Sequence, residues 1–304
     1  MITGLLTRIP GPPWVLAVVA IVSIQLSSAL SVGLIESVGP AGAAWLRLSM
    51  GAVLLILLAP PPLRSVRRCD IPVLLALGVA MGLTTVAFLA SIERIPLGTA
   101  VAIEFLGPLT VAAVRSGSLR ALTWPVLALC GVVLLTQPWL GEINLPGVGF
   151  ALLAGLGWGA YIVWLQMVGD RFTGSGVLSI TLPIAAVVAG TMGLPQAVPH
   201  LDLQILLLAL GLALLAPVAQ FILELAALRK MTATAFGSLM ALEPAVALVL
   251  GLIVLAQMPS PIQAIGIVLV VIAGAAAQRG GRREHPFLET SPLKSFGDHH
   301  EGEF

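Results

Sequence analysis

Long apolar runs recur along the whole of this 304-residue chain, and they limit its possible folds more than any motif does. Each run has about 18 residues or more, enough for a helix to cross the ~30 Å hydrocarbon core of a bilayer. Hydrophobic residues make up 58% of the chain and charged residues only 10%, whereas charged residues are roughly a quarter of an ordinary globular chain. The sequence therefore predicts an all-α integral membrane protein.

Ten of these runs are predicted to be transmembrane helices, with boundaries placed to within about 2 to 4 residues. The first run follows Arg8. We interpret it as a membrane anchor rather than a cleaved signal peptide, because nine more spans follow it. The predicted spans are 14–34, 41–59, 72–91, 97–114, 122–138, 147–166, 175–194, 203–225, 233–256 and 261–278.

The distribution of basic residues predicts how the chain is oriented. With the N-terminus inside, 13 of the 15 Lys and Arg residues fall on the cytoplasmic side, Arg94 falls outside and Arg47 lies within a span. Cytoplasmic loops of membrane proteins carry such an excess of Lys and Arg. We expect a multi-pass membrane protein, surrounded by lipid, with both termini in the cytoplasm. The net charge of +1 gives no indication of nucleic-acid binding.

The two halves of the chain show a weak internal similarity. Shifting the sequence by 136 residues aligns three pairs: Arg94 with Lys230, Pro108 with Pro244, and Pro125 with Pro261. Because each half has five spans, the second half must enter the membrane from the opposite side. Inverted repeats of this kind occur in secondary transporters, whose substrate site lies near the midplane between the repeats. The predicted units are residues 1–138 and 139–278, followed by a disordered cytoplasmic tail, 279–304.

Proline residues are predicted to interrupt the fourth and ninth spans. Pro108 and Pro244 each remove a backbone hydrogen bond and disfavour the helical conformation of the preceding residue. The carbonyl groups freed near Gly107 and Glu243 cannot be solvated by lipid, but a water-filled cavity can solvate them. The alternative is that both prolines only kink their helices for packing.

Four ionisable residues lie inside the predicted spans: Arg47, Glu104, Glu224 and Glu243. A charge at the centre of a membrane helix costs roughly 2.5 to 3.5 kcal/mol on insertion scales, so such residues are candidates for function. Counted from the outer ends of their spans, Arg47 and Glu104 both lie roughly 10 Å deep. Two interpretations stay open: an ion pair that joins the second and fourth helices, or an Arg47 that receives a substrate carboxylate in bidentate geometry.

The two remaining carboxylates differ in their surroundings. Glu243 has no cationic residue at its own depth, so it is a candidate for proton coupling or for binding an ammonium group. Glu224 is shallower and within reach of Arg229 or Lys230 at the cytoplasmic face. For Glu224 a structural ion pair is an equally good interpretation.

Uncharged polar and aromatic residues are weaker candidates for substrate binding or coupling. They are Gln25, Trp158, Tyr161 and Gln220. An aromatic residue in a membrane helix more often packs than binds a ligand. Gly155 and Gly159 have the GxxxG spacing that predicts close packing of two helices.

An enzyme would need a nucleophile with a base, a pair of aspartates or a metal-ligand cluster. The four histidines, His200, His285, His299 and His300, all fall outside the spans, and Cys69 and Cys130 lack the spacing of metal ligands. We therefore predict no enzymatic activity, no metal and no cofactor. A non-transporting scaffold or receptor is the alternative from another class, and an oligomer stays open.

Two long stretches, SIERIPLGTAVAIEFLGPL (91–109) and ALRKMTATAFGSLMALEPAVA (227–247), carry a resemblance to a known family. Together with AAWLRL around Arg47 and SPIQAIG (260–266), they resemble the EamA-type drug/metabolite transporter superfamily and, within it, the inner-membrane threonine/homoserine exporters. The similarity runs over nearly the whole chain, up to about residue 278. The chain differs from many relatives at Ala256 and Gln257, where those carry a Gly-Glu pair.

This resemblance implies a function and a set of site residues. It implies export of small neutral amino acids such as homoserine and threonine by alternating access, driven by the proton gradient as in an antiporter. On this basis the four intramembrane ionisable residues match polar positions of the family. Export of another small metabolite or drug by the same fold is the alternative.

Overall fold

The computed structural model describes residues 11–115, 119–140, 143–168 and 174–280, and the regular secondary structure in these ranges is helical throughout. The α-helices of this part of the chain are α1 (Pro13–Leu58), α2 (Ile71–Ile92), α3 (Leu97–Glu104), α4 (Leu106–Arg115), α5 (Thr123–Thr136), α6 (Leu145–Val168), α7 (Gly174–Ala197), α8 (Leu203–Ala213), α9 (Gln220–Leu228), α10 (Ala233–Met240), α11 (Glu243–Leu255) and α12 (Pro261–Gly280). A π-helical turn, Leu214–Ala219, joins α8 to α9. The tail predicted from residue 279 starts inside α12, and residues 281–304, with the remaining tail and its histidines, lie outside the described residues.

Helices of membrane-spanning length occupy most of the predicted spans. Within the described ranges, seven helical stretches are long and apolar enough to cross a membrane, and α5 and α12 are shorter apolar helices. The first of the seven, α1, has 46 residues and a length of ~69 Å, about twice what a bilayer requires. It covers the first two predicted spans. The prediction of an all-α integral membrane protein is therefore confirmed.

A sharp change of direction divides α1 at Gly39. This residue has φ 71° and ψ 165°, and Pro40 follows it without an N–H group. The side-chain oxygen of Gln196 accepts hydrogen bonds of 3.1 Å from the backbone N–H groups of Ala41 and Gly42. A Cβ atom on residue 39 would lie 2.6 Å from that oxygen. Both the positive φ and the Gln196 contact therefore require glycine at this position.

The helices pack in a characteristic set of pairs. The most extensive packing joins α1 to α7, α2 to α6, α12 to α5 and α2 to α7, and α11 packs on α3. The main buried core lies where α1 and α3 meet α2 and α7, with residues such as Leu34, Leu89 and Leu182 fully enclosed. Large apolar side chains also cover the outward faces, for example Leu57 and Leu207. Helices that are apolar on all sides are suited to contact lipid on those faces.

Close packing at the predicted GxxxG pair is confirmed. A Cβ atom on Gly155 of α6 would lie 2.8 Å from the carbonyl oxygen of Glu104, and one on Gly159 would lie 3.4 Å from the carbonyl oxygen of Gly107. Only glycine lets the two backbones approach so closely. The crossing of α6 therefore lies directly against the junction of α3 and α4.

Candidate functional site

In both proline-marked spans the helix is interrupted one turn before the proline, although the residues between the two segments keep helical angles. Helix α3 ends at Glu104 and α10 ends at Met240, and a new helix begins within three residues in each case. Pro108 has no N–H to offer the Glu104 carbonyl, and Pro244 has none for the Met240 carbonyl. Glu243 is the first residue of α11. Each interruption therefore has a glutamate beside it.

Helix α6 covers the first interruption. The carbonyl group of Glu104 lies against Gly155, as described above. One turn further along α6, the ring of Trp158 meets the ring of Phe105 edge-on, with centroids 6.3 Å apart and an angle of 66°. An edge-to-face arrangement is a favourable geometry for two aromatic rings. Trp158 thus packs on Phe105, the residue that follows Glu104 in the chain.

Three carboxylates come together near these interruptions. Glu243 is only 4% exposed. It lies close enough to Glu104 and Glu224 for their charges to interact. Glu104 and Glu224 are half-buried. Like charges repel in a low-dielectric interior, so a proton or a bound cationic group would relieve the repulsion among these carboxylates.

Glu224 has a different partner from the one expected. Its Oε1 accepts a hydrogen bond of 2.9 Å from Nε2 of Gln220, one turn earlier on α9. Tyr161 of α6 lies within electrostatic range of the same carboxylate. Arg229 and Lys230 are exposed at the end of α9. The hydrogen-bond partner that the structure shows for Glu224 is therefore Gln220, which lies on the same helix face.

Arg47 makes no hydrogen bond with any of these three carboxylates. It is 8% exposed, and its Nη1 donates a hydrogen bond of 3.0 Å to Oγ of Ser31. The structure shows no hydrogen bond or ion pair between Arg47 and Glu104, both of which are described. Equal depth does not make two side chains face each other. The bend in α1 places Arg47 against the first half of that helix.

One edge of the Arg47 guanidinium is free. Ser31 occupies Nη1, while Nε is buried without a hydrogen-bond partner. The Nε and Nη2 groups form one of the edges with which a guanidinium binds a carboxylate in bidentate geometry. A buried cation without a counter-ion is costly. The arrangement therefore suits an anionic group that arrives from outside the protein.

A third interruption was missed by the sequence analysis, which placed an unbroken span at 203–225. The segment Leu214–Ala219 breaks the helix there, and Ala216 has the extended angles φ −147° and ψ 121°. Pro217, which has no N–H, follows directly. A proline in the middle of the predicted span was the available signal.

Serine residues of α1 bind the carbonyl groups at this break. Oγ of Ser23 donates to the Leu215 carbonyl over 2.7 Å, and Oγ of Ser27 donates to the Leu212 carbonyl over 3.0 Å. The break would otherwise leave buried acceptors poorly satisfied. These serines were not among the predicted site residues. Their spacing of four residues, continued at Ser31, was the signal in the sequence.

Gln25, on the same half of α1, is buried, with 3% of its surface exposed. Its Oε1 has no hydrogen-bond partner in the structure. An unpaired buried acceptor in a native protein requires a specific explanation. Gln25 therefore stays a candidate for contact with a donor group of a substrate.

The end of α11 lies beside the start of α3. Ala256 adopts left-handed angles, φ 53° and ψ 27°, which suit glycine better. The side-chain oxygen of Gln257 accepts a hydrogen bond of 3.0 Å from the backbone N–H of Leu97, at the start of α3. A cavity of about 230 Å³ beside it is lined by residues that include Thr99 and Gln263. This cavity is separate from the carboxylate cluster.

The described residues offer no other reactive centre. No group of three His, Cys, Asp or Glu side chains within them is arranged to hold a metal ion. Cys69 and Cys130 are exposed and free.

Comparison with known proteins identifies the family. Residues 145–276 match the EamA-like transporter family. The chain is 35% identical over 283 residues to the threonine/homoserine exporter RhtA of Escherichia coli (strain K12), covering 91% of this chain and 95% of that protein. The exporter of the same name from Salmonella typhimurium (strain SL1344) is 34% identical over 278 residues, which is 90% of this chain and 93% of that protein.

A solved crystal structure that is 19% identical superposes with a TM-score of 0.60 over 87% of this chain and 98% of its own, and so shares the fold. The protein is thus a transporter and not an enzyme, and it belongs to the EamA-like transporter family, where it groups with the RhtA proteins.

Proposed function

We propose that this protein exports small neutral amino acids of the homoserine and threonine type from the cytoplasm. The observation that carries this proposal is Arg47, a buried membrane-helix cation whose Nε is unpartnered. It provides a site for the carboxylate that every amino acid has. Similarity over nearly the full length of the RhtA exporters supports the substrate class.

The proposed architecture has ten membrane crossings, arranged as two inverted five-helix repeats at residues 1–138 and 139–278. Two crossings come from α1, on either side of Gly39. Reciprocal packing supports the repeat: α2 packs on α6, and the α8–α9 segment packs on α1, as a two-fold relation between the repeats requires. In the same way, α3 packs on α11 and α5 packs on α12, each against its own counterpart.

The proposed location is the inner membrane of the cell, with both termini in the cytoplasm. This orientation follows from the positive-inside distribution, in which Arg94 is the single basic residue of the outer loops. On this orientation Gln196 and Gln257 lie at the outer ends of their helices. Their hydrogen bonds to the starts of the second half of α1 and of α3 join the two repeats on that side.

In the proposed mechanism, Arg47 and the carboxylate cluster bind the two charged groups of the substrate, and the cluster also provides the proton-coupling group. Arg47 receives the carboxylate of the substrate through its free edge. Glu104 or Glu243 receives the ammonium group or carries the coupling proton, because the clustered carboxylates attract positive charge. Glu224, Gln220 and the α6 aromatic residues complete the lining of the cluster. Alternating access would then expose the site to one side of the membrane at a time.

The decisive experiment is export by cells that overproduce the protein. Such cells should tolerate toxic analogues of homoserine and threonine better than control cells and should release more amino acid. The Arg47→Met variant, at equal membrane abundance, is the matched control and should give no protection. Unchanged tolerance across a broad amino-acid panel would exclude this substrate class. Protection only against dyes or purines in an extended panel would instead support export of another metabolite or drug.

A further inference from the structure

The first half of α1 carries three buried serines at intervals of four residues: Ser23, Ser27 and Ser31. Residues four apart lie on the same side of a helix. We call this side the serine face. It lies between Arg47 and the break at Leu214–Ala219, which contact it from opposite ends.

At the first end, Ser31 holds the guanidinium. Its Oγ accepts the hydrogen bond from Nη1 of Arg47 over 3.0 Å and donates one to the Ser27 carbonyl over 2.6 Å. Because the hydroxyl proton is directed to Ser27, a lone pair of Oγ is left to face Arg47. The guanidinium is therefore fixed at one nitrogen, and its Nε edge stays free.

At the other end, the serine face holds the broken helix. Ser27 and Ser23 donate to the carbonyl groups of Leu212 and Leu215. The Leu215 carbonyl also accepts the backbone N–H of Gln220. The side chain of Gln220 donates in turn to Glu224. Hydrogen bonds and one helical segment thus connect Arg47 with the half-helix that carries Glu224.

Ser28 shows that burial of a serine alone does not produce these contacts. It is 2% exposed, like the members of the serine face, and lies on the same half of α1. Its hydroxyl donates to the Ile24 carbonyl of its own helix over 2.9 Å. The contacts between helices are therefore specific to the serine face.

We propose that Ser31 is a positioning residue for Arg47, and that the serine face ties the Arg47 guanidinium to the half-helix of Glu224; this rests on the proposed role of Arg47 in binding the substrate carboxylate. Without Ser31, the guanidinium turns between several orientations, and a bidentate contact with the substrate costs more to form. A substrate bound to Arg47 is connected, through the contacts of the serine face, to the helix break at Leu214–Ala219.

The test measures transport of L-threonine by the full-length protein in proteoliposomes, with L-threoninol as an inhibitor that lacks the carboxylate. Ser31→Ala should raise KM for L-threonine about tenfold, the effect of ~1.4 kcal/mol, while the maximal rate stays within about twofold of the parent. Inhibition by L-threoninol should not change, because it makes no contact with Arg47. Ser31→Thr, which keeps a hydroxyl, should restore KM, and Ser28→Ala should behave as the parent.

A double-mutant cycle tests the connection to the break. Ser27→Ala should raise KM on its own, and the double variant with Ser31→Ala should resemble Ser31→Ala, since both changes act on the link through Ser27, whose carbonyl binds Ser31 and whose hydroxyl binds Leu212. Additive effects would contradict the connection. An unchanged KM in Ser31→Ala, or equal weakening of L-threonine and L-threoninol, would overturn the role of Ser31. A parent protein that transports no amino acid would overturn the proposed function, and this inference with it, before any variant is compared.

Discussion

Replacing Arg47 by methionine should make the protein more stable while abolishing transport. Methionine has a similar length and no charge. Arg47 is only 8% exposed, makes one side-chain hydrogen bond and forms no ion pair with the described residues. A residue that only stabilised the fold would not be expected to bury a charge without a counter-ion. A residue that binds an anionic substrate group would be expected to do so.

The magnitude follows from two opposing terms. The substitution removes one hydrogen bond from a charged donor, which is worth about 1.5 to 3 kcal/mol. It also removes the cost of keeping an unpaired cation out of water, which is several kcal/mol for a buried ion. Ser31 keeps its own bond to the Ser27 carbonyl, so the variant leaves no new buried donor unsatisfied. The net stabilisation should be about 1 to 3 kcal/mol.

Thermal unfolding of the purified protein in detergent, followed by its tryptophan fluorescence, measures this effect. The melting temperature of Arg47→Met should rise by several degrees, and export in the same variant should be lost. Arg94→Met is the matched control, because Arg94 is partly exposed and pairs with Glu93; its melting temperature should change little. A lower melting temperature for Arg47→Met would show that Arg47 has a structural partner and would refute this explanation.

Three further predictions concern other parts of the protein. Glu243→Gln should insert normally and still exchange substrate but fail to export against a gradient, and Glu243→Asp should keep part of the activity; uphill export equal to the parent would remove Glu243 from the coupling mechanism. Gly155→Ala should lower the melting temperature, because its Cβ would lie 2.8 Å from the Glu104 carbonyl oxygen, whereas Gly149→Ala on the same helix enters open space and should not; equal effects would show that the crossing can widen. Gln196→Ala should lose about 0.5 to 2 kcal/mol of stability by uncapping the second half of α1, and Gln196→Glu, which keeps the acceptor, should retain it; no loss in a melting experiment with Gln196→Ala would show that this cap is dispensable.

The sequence by itself determined the class of fold and the position of its helices. Apolar runs long enough to cross a bilayer leave little choice, because a lipid-exposed backbone must form its hydrogen bonds within the helix. Prolines within such runs indicate where that pattern can fail, and a helix ends one turn before Pro108 and before Pro244. Gly155 and Gly159 likewise indicated a close crossing, since a missing Cβ is a local property.

Tertiary structure alone decided which polar side chains face one another. Arg47 and Glu104 lie at similar depth, yet the side on which each helix presents its residue depends on the bend at Gly39 and on the neighbours of α1 and α3. For the same reason Ser31 is the partner of Arg47, and Gln220 is the partner of Glu224. Depth along a helix can be counted from the sequence, whereas rotation about its axis is set by packing against residues far away in the chain.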